Sequence, residues 1–287
     1  MKIAVVQMDV QLGAVEQNLK GMLDRLVASR RNAAELTLFP ECALTGYCFE
    51  SLKEAAQFAQ PIPGPATDRF QQVLRSVGGY AIFGMLEAAQ GNVFNAAVLV
   101  GPDGVIGSYR KIHLPCLGVD AFVSYGDRPF AVYDIGEIRI GLGICYDSAF
   151  PEAIRVMALM GADLIALPTN FPSGAVAMTE YVLRTRAMEN NVYFAACNRI
   201  GTERGFHFIG QSQVADPTGQ WIAHSAGDQP EILYAEIDPA SARTKHVVRI
   251  PGKHSIDRLA DRRPEMYGMI VEPHQLPRPG RDNSFKD

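Results

Sequence analysis

Apolar residues recur with two different spacings along the chain, and the change from one spacing to the other predicts alternating strands and helices. Short apolar runs predict strands at 2–7 and 36–39, and residues 16–31 between them carry their apolar side chains on one helical face. A second helix is predicted at 67–77. Further strands are predicted at 80–87, 92–100 and 105–111. The first half of the chain therefore predicts a β-α-β unit followed by consecutive strands.

The second half repeats this order of elements. Strands are predicted at 138–144, 164–167, 193–198, 208–215 and 221–225, and helices at 152–160 and 178–190. The segment E-L-T-L-F-P-E at 35–41 resembles D-L-I-A-L-P-T at 163–169, and turn sequences follow at equivalent points, 102–104 and 216–219. Two such halves can bury their sheets by stacking them. We therefore predict an α/β fold, a four-layer α-β-β-α sandwich with two pseudo-symmetric halves.

Composition narrows the classes of function. Of the 287 residues, 47% are hydrophobic, and the formal net charge is -4, so nothing indicates a nucleic-acid-binding surface. We expect no membrane span and no signal peptide, because the sequence has neither a long apolar run nor a basic segment before its first strand. The five cysteines lack metal-ligand spacing. We therefore expect no metal, no cofactor and a reducing, cytoplasmic location.

Cys145 lies where the predicted strand 138–144 meets a helix that is predicted to follow over 147–160. The partial positive charge at a helix N-terminus lowers the pKa of a thiol, so this position favours a reactive thiolate. A buried structural cysteine is the alternative interpretation. The position of Cys145 alone does not decide between them.

Other candidate residues also stand at strand ends. Glu41 and Asn170 lie just past the ends of predicted strands, and Lys111 ends another. Strand ends in such folds carry ligand-facing residues, so Glu41, Cys145 and Asn170 converge if the halves pack about a pseudo-dyad. The alternative interpretation of Glu41 is an exposed loop glutamate, and that of Lys111 is one half of a surface Arg–Lys pair. His113 is interpreted as a structural residue. Together, a carboxylate, an ammonium and a thiol are the groups needed to hydrolyse a carbon–nitrogen bond through a thioester.

Five motifs resemble those of the nitrilase, or carbon–nitrogen hydrolase, superfamily, in its amidase-like branch. They are L-F-P-E-C-A-L-T-G-Y at 38–47, Y-R-K-I-H-L-P at 109–115, G-I-C-Y-D-S-A-F-P-E at 143–152, G-A-D-L-I-A-L-P-T-N-F-P at 161–172 and R-A-M-E-N at 186–190. The resemblance implies the α-β-β-α sandwich and a catalytic triad of Glu41, Lys111 and Cys145. It also implies a hydrolase domain at 1–250 and a C-terminal extension at 251–287.

The resemblance implies a mechanism in which Glu41 takes the thiol proton and the Cys145 thiolate attacks the amide carbon. The Lys111 ammonium and the backbone N–H of Tyr146 would hold the oxyanion. Many family members carry a second glutamate in the loop after the lysine strand, and that loop contains no glutamate here. Asp120 is the nearest acid and is a candidate fourth catalytic residue. A solvated loop acid is the alternative interpretation of Asp120.

The residues after the candidate nucleophile bear on the substrate. Cys145-Tyr146-Asp147 differs from the C-W-E of true nitrilases, and Ser148 and Ala149 stand where carbamoyl-amino-acid hydrolases and ω-amidases often carry arginine. Without that carboxylate clamp, we predict small neutral or mostly apolar linear amides as substrates. The predicted pocket residues, each of which ordinary packing also explains, are Tyr47, Tyr146, Asn170, Phe171, His207 and Phe208.

Other functions use the same reactive groups. An N-carbamoyl hydrolase or a nitrilase is the alternative among hydrolases, and an acyl transferase would pass the same thioester to an amine. A scaffold protein on this fold is a weaker alternative, because all three reactive residues are present. The resemblance also implies a homodimer or larger homo-oligomer, and we assign residues 250–267 to its subunit contacts.

Overall fold

Two six-stranded β-sheets stand at the centre of the computed structural model, which describes residues 1–278. In chain order the strands are β1 (Lys2–Gln7), β2 (Leu36–Leu38), β3 (Tyr80–Ala89), β4 (Asn92–Gly101), β5 (Gly104–Arg110), β6 (Val132–Asp134), β7 (Arg139–Leu142), β8 (Leu164–Thr169), β9 (Tyr193–Asn198), β10 (Ile200–Glu203), β11 (Phe206–Ile209), β12 (Gln213–Ala215), β13 (Trp221–His224), β14 (Glu231–Glu236), β15 (Val247–Ile250) and β16 (His254–Ile256). The α-helices are α1 (Val15–Arg31), α2 (Leu52–Ala55), α3 (Pro65–Val77), α4 (Pro151–Leu159), α5 (Leu183–Asn190) and α6 (Pro239–Arg243). No helix in this described range is long and apolar enough to cross a membrane.

Both sheets are built on the same plan. The strand order is β14-β1-β2-β3-β4-β5 in the first sheet and β6-β7-β8-β9-β12-β13 in the second. Strands β1, β2 and β3 are parallel, as are β7, β8 and β9, and the strands on either side of each trio run antiparallel to it. The two predicted pseudo-symmetric halves are thereby confirmed.

The sheets bury their inner faces against each other, and helices cover their outer faces. Ile3, Val5 and Leu38 of the first sheet belong to the same buried cluster as Leu142 and Ala166 of the second. Helices α1 and α3 pack on the outer face of the first sheet, and α4 and α5 cover the second. The predicted four-layer α-β-β-α sandwich is confirmed. Because both faces are covered, the parallel strands are mostly apolar.

The structure differs from the predicted elements mainly at turns and sheet edges. The predicted strand at 208–215 is divided between β11 and β12, because Gly210 (φ 62°) and Gln211 (φ 57°) have left-handed backbone conformations. The predicted helix at 178–190 begins with a π-helical turn, Met178–Val182, before α5. Strands β6 and β14 were not predicted, because half-exposed edge strands carry a weak apolar signal.

A close approach of β3 to the chain after β2 positions Glu41. The N–H of Gly84 in β3 donates to the carbonyl of Pro40 at 3.0 Å. A Cβ on Gly84 would lie 2.4 Å from the backbone nitrogen of Cys42 and 2.6 Å from the Cα of Glu41. Only glycine lets two backbones pass this closely, so Gly84 holds the Glu41 segment against the sheet.

Residues 251–278 lie mostly on the surface. Strands β15 and β16 pair across residue 250, so the predicted boundary between 1–250 and 251–287 falls inside a hairpin and stays a prediction. Residues 279–287 of the predicted extension lie outside the described residues. Exposed apolar side chains in this region and in the adjoining β15 include Val248, Ile250, Met266, Met269, Ile270 and Val271.

Candidate active site

A buried ammonium and two buried carboxylates meet near strand ends of the first half. Lys111 directly follows β5, Glu41 follows β2, and Asp120 lies in a 3-10 turn, Gly118–Ala121. The Lys111 Nζ lies 2.7 Å from Oε1 of Glu41 and 2.5 Å from Oδ2 of Asp120, and all three side chains are inaccessible to solvent. The fold thus brings together three predicted site residues that come from three separate segments of the chain.

Two neutral side chains complete this cluster. Nδ2 of Asn95, on β4, donates to Oε1 of Glu41 at 2.7 Å and to Oδ1 of Asp120 at 2.8 Å. The Tyr47 hydroxyl donates to Oδ2 of Asp120 at 2.8 Å. Buried carboxylates are tolerated only with such partners. Oε2 of Glu41 is the exception: it is buried and has no hydrogen-bond partner within residues 1–278.

Backbone contacts explain why these side chains meet. The N–H of Lys111 donates to the carbonyl of Asn95 at 2.8 Å, which extends the pairing of β4 and β5 by one residue. The N–H of Val119 donates to the carbonyl of Tyr47 at 2.8 Å. Gly118 (φ 51°) lies so close to the Tyr47 ring that a Cβ would be 2.7 Å from ring atoms. The turn that carries Asp120 is therefore held against the loop that carries Tyr47.

Cys145 lies just beyond β7 in a left-handed backbone conformation, with φ 44°, which is strained for a residue with a Cβ. Two hydrogen bonds hold this turn: Ile144 N–H donates to Oδ2 of Asp147 at 2.8 Å, and the Ser148 hydroxyl donates to the Cys145 carbonyl at 2.7 Å. The Tyr109 hydroxyl also donates to Oδ2 of Asp147, at 2.9 Å. These hydrogen bonds thus hold the strained backbone of the candidate nucleophile in place.

The predicted lowering of the Cys145 pKa by a helix N-terminus is wrong. Cys145 begins a short 3-10 turn, Cys145–Ala149, and α4 begins only at Pro151. Burial raises the pKa of the Cys145 thiol, and the negative charge of Glu41 raises it further, while Lys111 lowers it. The thiol is therefore neutral near pH 7 and needs a base to become a nucleophile.

The pKa shifts of Glu41 and Lys111 have different causes and indicate different roles for the two side chains. Burial raises the pKa of Glu41, and the attraction of Lys111 opposes this rise. Burial disfavours the charged form of Lys111, but the attraction of Asp120 and Glu41 outweighs it and raises the pKa of Lys111 well above its usual value. Lys111 therefore stays charged, whereas the raised pKa of Glu41 suits a group that both accepts and returns a proton.

Asn170 directly follows β8, and its backbone lowers the pKa of the Cys145 thiol, against the larger opposing effect of burial. Its side-chain Oδ1 and Nδ2 are both buried, and neither has a hydrogen-bond partner in the described part of the chain. Such an unpaired buried polar group costs roughly 1–3 kcal/mol, so it marks a candidate ligand contact. The next residue, Phe171, is buried, and its N–H donates to Oδ1 of Asn198 at 2.8 Å.

The remaining predicted pocket residues have different environments. Tyr146 is 40% exposed, and its ring packs edge-on against another aromatic ring, that of Phe150. His207 lies on β11 with an exposed side chain, and its Nε2 lies 3.5 Å from Oδ2 of Asp228. Phe208 is buried and packs edge-on against Tyr47. Contact of these residues with substrate stays a prediction.

Sequence reasoning missed several residues that support the site. Asn95 had a signal, because it is a polar residue inside the apolar run 92–100. Arg186 lies in the R-A-M-E-N motif, and its guanidinium donates to the carbonyls of Ser148 at 2.9 Å and Ala149 at 3.2 Å. His113, which the sequence indicates to be structural, forms a hydrogen bond with Asp147, Nδ1 to Oδ1, at 2.7 Å. Nothing in the linear sequence indicates these last contacts.

A buried ion pair from the second half, Arg199–Glu203, supports the Tyr47 loop. Oε1 of Glu203 accepts from Arg199 at 2.9 Å, and Oε2 accepts from the backbone N–H groups of Tyr47 at 2.9 Å and Cys48 at 2.6 Å. These contacts connect the two halves next to the site. No group of three or more His, Cys, Asp or Glu side chains in the described range is arranged to hold a metal ion.

The chain is similar to known hydrolases over most of its length. The family model described as carbon–nitrogen hydrolase matches residues 2–246. A nitrilase from Pyrococcus abyssi is 37% identical over 268 residues, which are 93% of this chain and 99% of the relative. An (R)-stereoselective amidase from a Pseudomonas species is 32% identical over 277 residues, 95% of each chain.

A solved structure extends the similarity to three dimensions. The NitN amidase from Nesterenkonia sp. AN1 superposes with a TM-score of 0.78 and 26% identity, covering 94% of this chain and 100% of that one. One mutant of that amidase carries the acetamide moiety of fluoroacetamide covalently at its active-site cysteine. Another mutant was solved in complex with acrylamide.

We predict that Lys111→Met destabilises the protein far more than Asp120→Asn does. Loss of the ammonium leaves two buried carboxylates without a counter-charge, which should lower the free energy of unfolding by about 3–5 kcal/mol. Asp120→Asn leaves one carboxylate and one ammonium in balance, so roughly 1–2 kcal/mol is expected. Urea denaturation at neutral pH measures both.

The deficit of Lys111→Met should shrink as the pH falls, because protonation of Glu41, whose pKa is raised, removes part of the unpaired buried charge. Equal losses for the two variants, or a deficit that grows in acid, would contradict this account of the cluster.

Proposed function

The chain belongs to the carbon–nitrogen hydrolase family, and from this premise we propose that it hydrolyses a small neutral amide to a carboxylate and ammonia through a thioester on Cys145. The observation that carries the proposal is the buried pairing of Lys111 with Glu41 near a thiol held in a strained turn. These groups supply a base, a fixed positive charge and a nucleophile in one dry site.

Acylation begins with transfer of the Cys145 proton to Glu41. We assign Oε2 of Glu41 as the acceptor, because Oε1 is already held by Lys111 and Asn95. The thiolate then attacks the amide carbon, and the carbonyl oxygen becomes an oxyanion. Glu41 returns its proton to the leaving nitrogen, so ammonia departs and the acyl group stays on sulfur.

Lys111 is the main stabiliser of the oxyanion in this mechanism. Two of the three N–H groups of its ammonium donate to Glu41 and Asp120, which leaves the third for the substrate oxygen. The backbone N–H of Tyr146 is the second proposed donor. In deacylation Glu41 takes a proton from water, the hydroxide attacks the thioester, and the proton passes to the departing Cys145 sulfur.

Asp120 fills the place of the second glutamate that many family members carry. An aspartate side chain is one methylene shorter, and Asp120 still reaches Lys111 because its turn packs against Tyr47. We propose that Asp120 fixes the position and charge of Lys111 without touching the substrate. The Tyr47 hydroxyl donates its hydrogen bond to Asp120. The ring of Tyr47, rather than its hydroxyl, is therefore the part available to a ligand.

A neutral substrate follows from the groups beside the nucleophile. Ser148 and Ala149 supply no charge, and the nearby Arg186 guanidinium is occupied by their carbonyls and by Glu189. No carboxylate clamp is therefore free at this place. The unpaired amide of Asn170, next to Cys145, would suit the polar end of an amide.

A nitrile is the second candidate substrate, and the Pyrococcus abyssi relative named nitrilase favours it. Attack on a nitrile carbon needs the same thiolate and proton donor. The sequence Cys145-Tyr146-Asp147, which differs from the C-W-E of true nitrilases, favours the amide.

Cys145→Ala should abolish amide hydrolysis, with a loss of about 10⁴-fold or more in kcat, because no other group can form the acyl-enzyme. Cys116→Ser is the matched control, since Cys116 is the exposed cysteine and plays no part in the mechanism. Ammonia release measures turnover, and intact mass after rapid quenching detects the thioester. Turnover of Cys145→Ala at the wild-type rate would eliminate the mechanism.

Neutral amides should be the best substrates in a panel that also contains ω-amides of dicarboxylic acids, N-carbamoyl amino acids and nitriles. We expect an advantage in kcat/KM of about tenfold or more over the charged amides, because their carboxylate finds no cationic partner. Ammonia and carbon dioxide release identify the reaction. Preference for N-carbamoyl amino acids would overturn this assignment.

We further propose that residues 250–267 form contacts between copies of the chain in a homodimer or larger assembly. Their exposed apolar side chains, among them Ile250 and Met266, support this proposal. Ile250→Asp should lower the mass measured by light scattering at micromolar concentration, whereas Ile106→Asp, at an exposed site on β5, should not. A wild-type monomer under these conditions would exclude the assembly.

A further inference from the structure

Asn95 is a buried amide that interrupts the apolar run of strand β4. It is fully buried on β4, between the buried residues Phe94 and Ala96. A buried amide without partners is costly, so a residue of this kind needs a compensating role. Its Nδ2 has two acceptors, Oε1 of Glu41 and Oδ1 of Asp120. Because carboxylates only accept hydrogen bonds, the amide nitrogen must face them.

Asn95 and Lys111 bind the same two carboxylates in parallel. Each donates to Oε1 of Glu41, and each donates to one oxygen of Asp120. The two donors therefore hold Glu41 through a single oxygen and leave Oε2 unpaired. If Asn95 were absent, Lys111 alone would not restrain rotation of the Glu41 carboxylate.

The charges of the cluster explain why the second donor is neutral. Two carboxylates and one ammonium carry a net charge of about -1 when all are ionised. A second cation would compete with Lys111, whereas an amide stabilises both carboxylates without adding charge. The other titratable groups that face Glu41 electrostatically are Lys111, Asp120, Cys42, Tyr47 and Cys145.

We propose that Asn95 is a positioning residue for the acid–base step: its amide holds Oε1 of Glu41 and Oδ1 of Asp120, so that Oε2 of Glu41 is the oxygen presented to the thiol and later to water. The inference rests on the proposed function of Glu41 as the base. It adds a residue that acts through Glu41 rather than on the substrate.

The test compares Asn95→Ser and Asn95→Asp with Asn92→Ser. Asn92 is the matched control, an exposed asparagine on the same strand whose side chain contacts Gln90 and Ser124. Loss of the donors should lower kcat by about 10–100-fold and change KM by less than about twofold. The acid limb of kcat/KM should move to higher pH, by about one unit for Asn95→Ser.

The acid limb moves to higher pH because the Asn95 amide stabilises the charged form of Glu41. Removing donors from a carboxylate favours its protonated form, so the pKa of Glu41 rises and activity is lost at a higher pH. Asn95→Asp adds a further negative group and should shift the limb further than Asn95→Ser does. A purely structural role would lower the rate and leave the acid limb in place, which would overturn the proposal.

A second readout separates this inference from the choice of substrate. Alkylation of Cys145 by iodoacetamide forms a carbon–sulfur bond, expels iodide and passes the thiol proton to the base. In a Cys116→Ser background, its rate against pH can be followed by mass spectrometry of the Cys145 peptide. The Asn95 variants should show the same shift in the acid limb even if no natural amide is known. An unshifted alkylation profile would refute the role of Asn95.

If both Asn95 variants fail to fold, the wild-type protein still provides a test. The side-chain amide NMR signals of Asn95, assigned by selective labelling, should titrate with the same midpoint as the acid limb of alkylation. Signals that stay constant across that pH range would contradict coupling of Asn95 to Glu41. If the wild-type protein hydrolyses no amide, but the Asn95 signals titrate together with the alkylation rate, then the proposed function is refuted and the role of Asn95 is not.

Discussion

The burial of one ammonium between two carboxylates constrains the whole region around the candidate active site. Removing three charges from water costs several kcal/mol for each ion, and their attraction offsets that cost only with close geometry and further hydrogen bonds. Asn95 and Tyr47 supply those bonds to Glu41 and Asp120. The backbone then has to bring four separate segments to one point, which β2, β4, β5 and the turn at Gly118–Ala121 do.

The nucleophile comes from the other half of the sandwich, so the site depends on how the halves are joined. Tyr109 of the first half bonds to Asp147, which holds the strained turn at Cys145. In the opposite direction, Glu203 of the second half holds the backbone of the Tyr47 loop. The thiol of Cys197 on β9 donates to carbonyls of β1 and β2. Rigid contacts across the sheets thus set the relation between base and nucleophile.

The fold and the three main candidate residues were predictable because they depend on patterns within short segments of the sequence. The apolar runs and helical faces of the two halves predicted the sandwich, and the motifs placed Glu41, Lys111 and Cys145. The edge strands β6 and β14 escaped prediction because they are half exposed. The contacts of Asn95 could not be predicted, since a polar residue in an apolar run signals burial but does not name its partner.

The sequence by itself determined most of the buried strands and helices and which reactive side chains stand near their ends, because periodicity and strand-end position are properties of short segments. The tertiary structure decided the rest. It decided that Asp120 reaches Lys111, because a turn packs against Tyr47. It also decided that burial raises the pKa of Cys145, against the expected effect of a helix N-terminus. Both outcomes depend on distances between distant segments and on exclusion of water, and neither is written in local sequence.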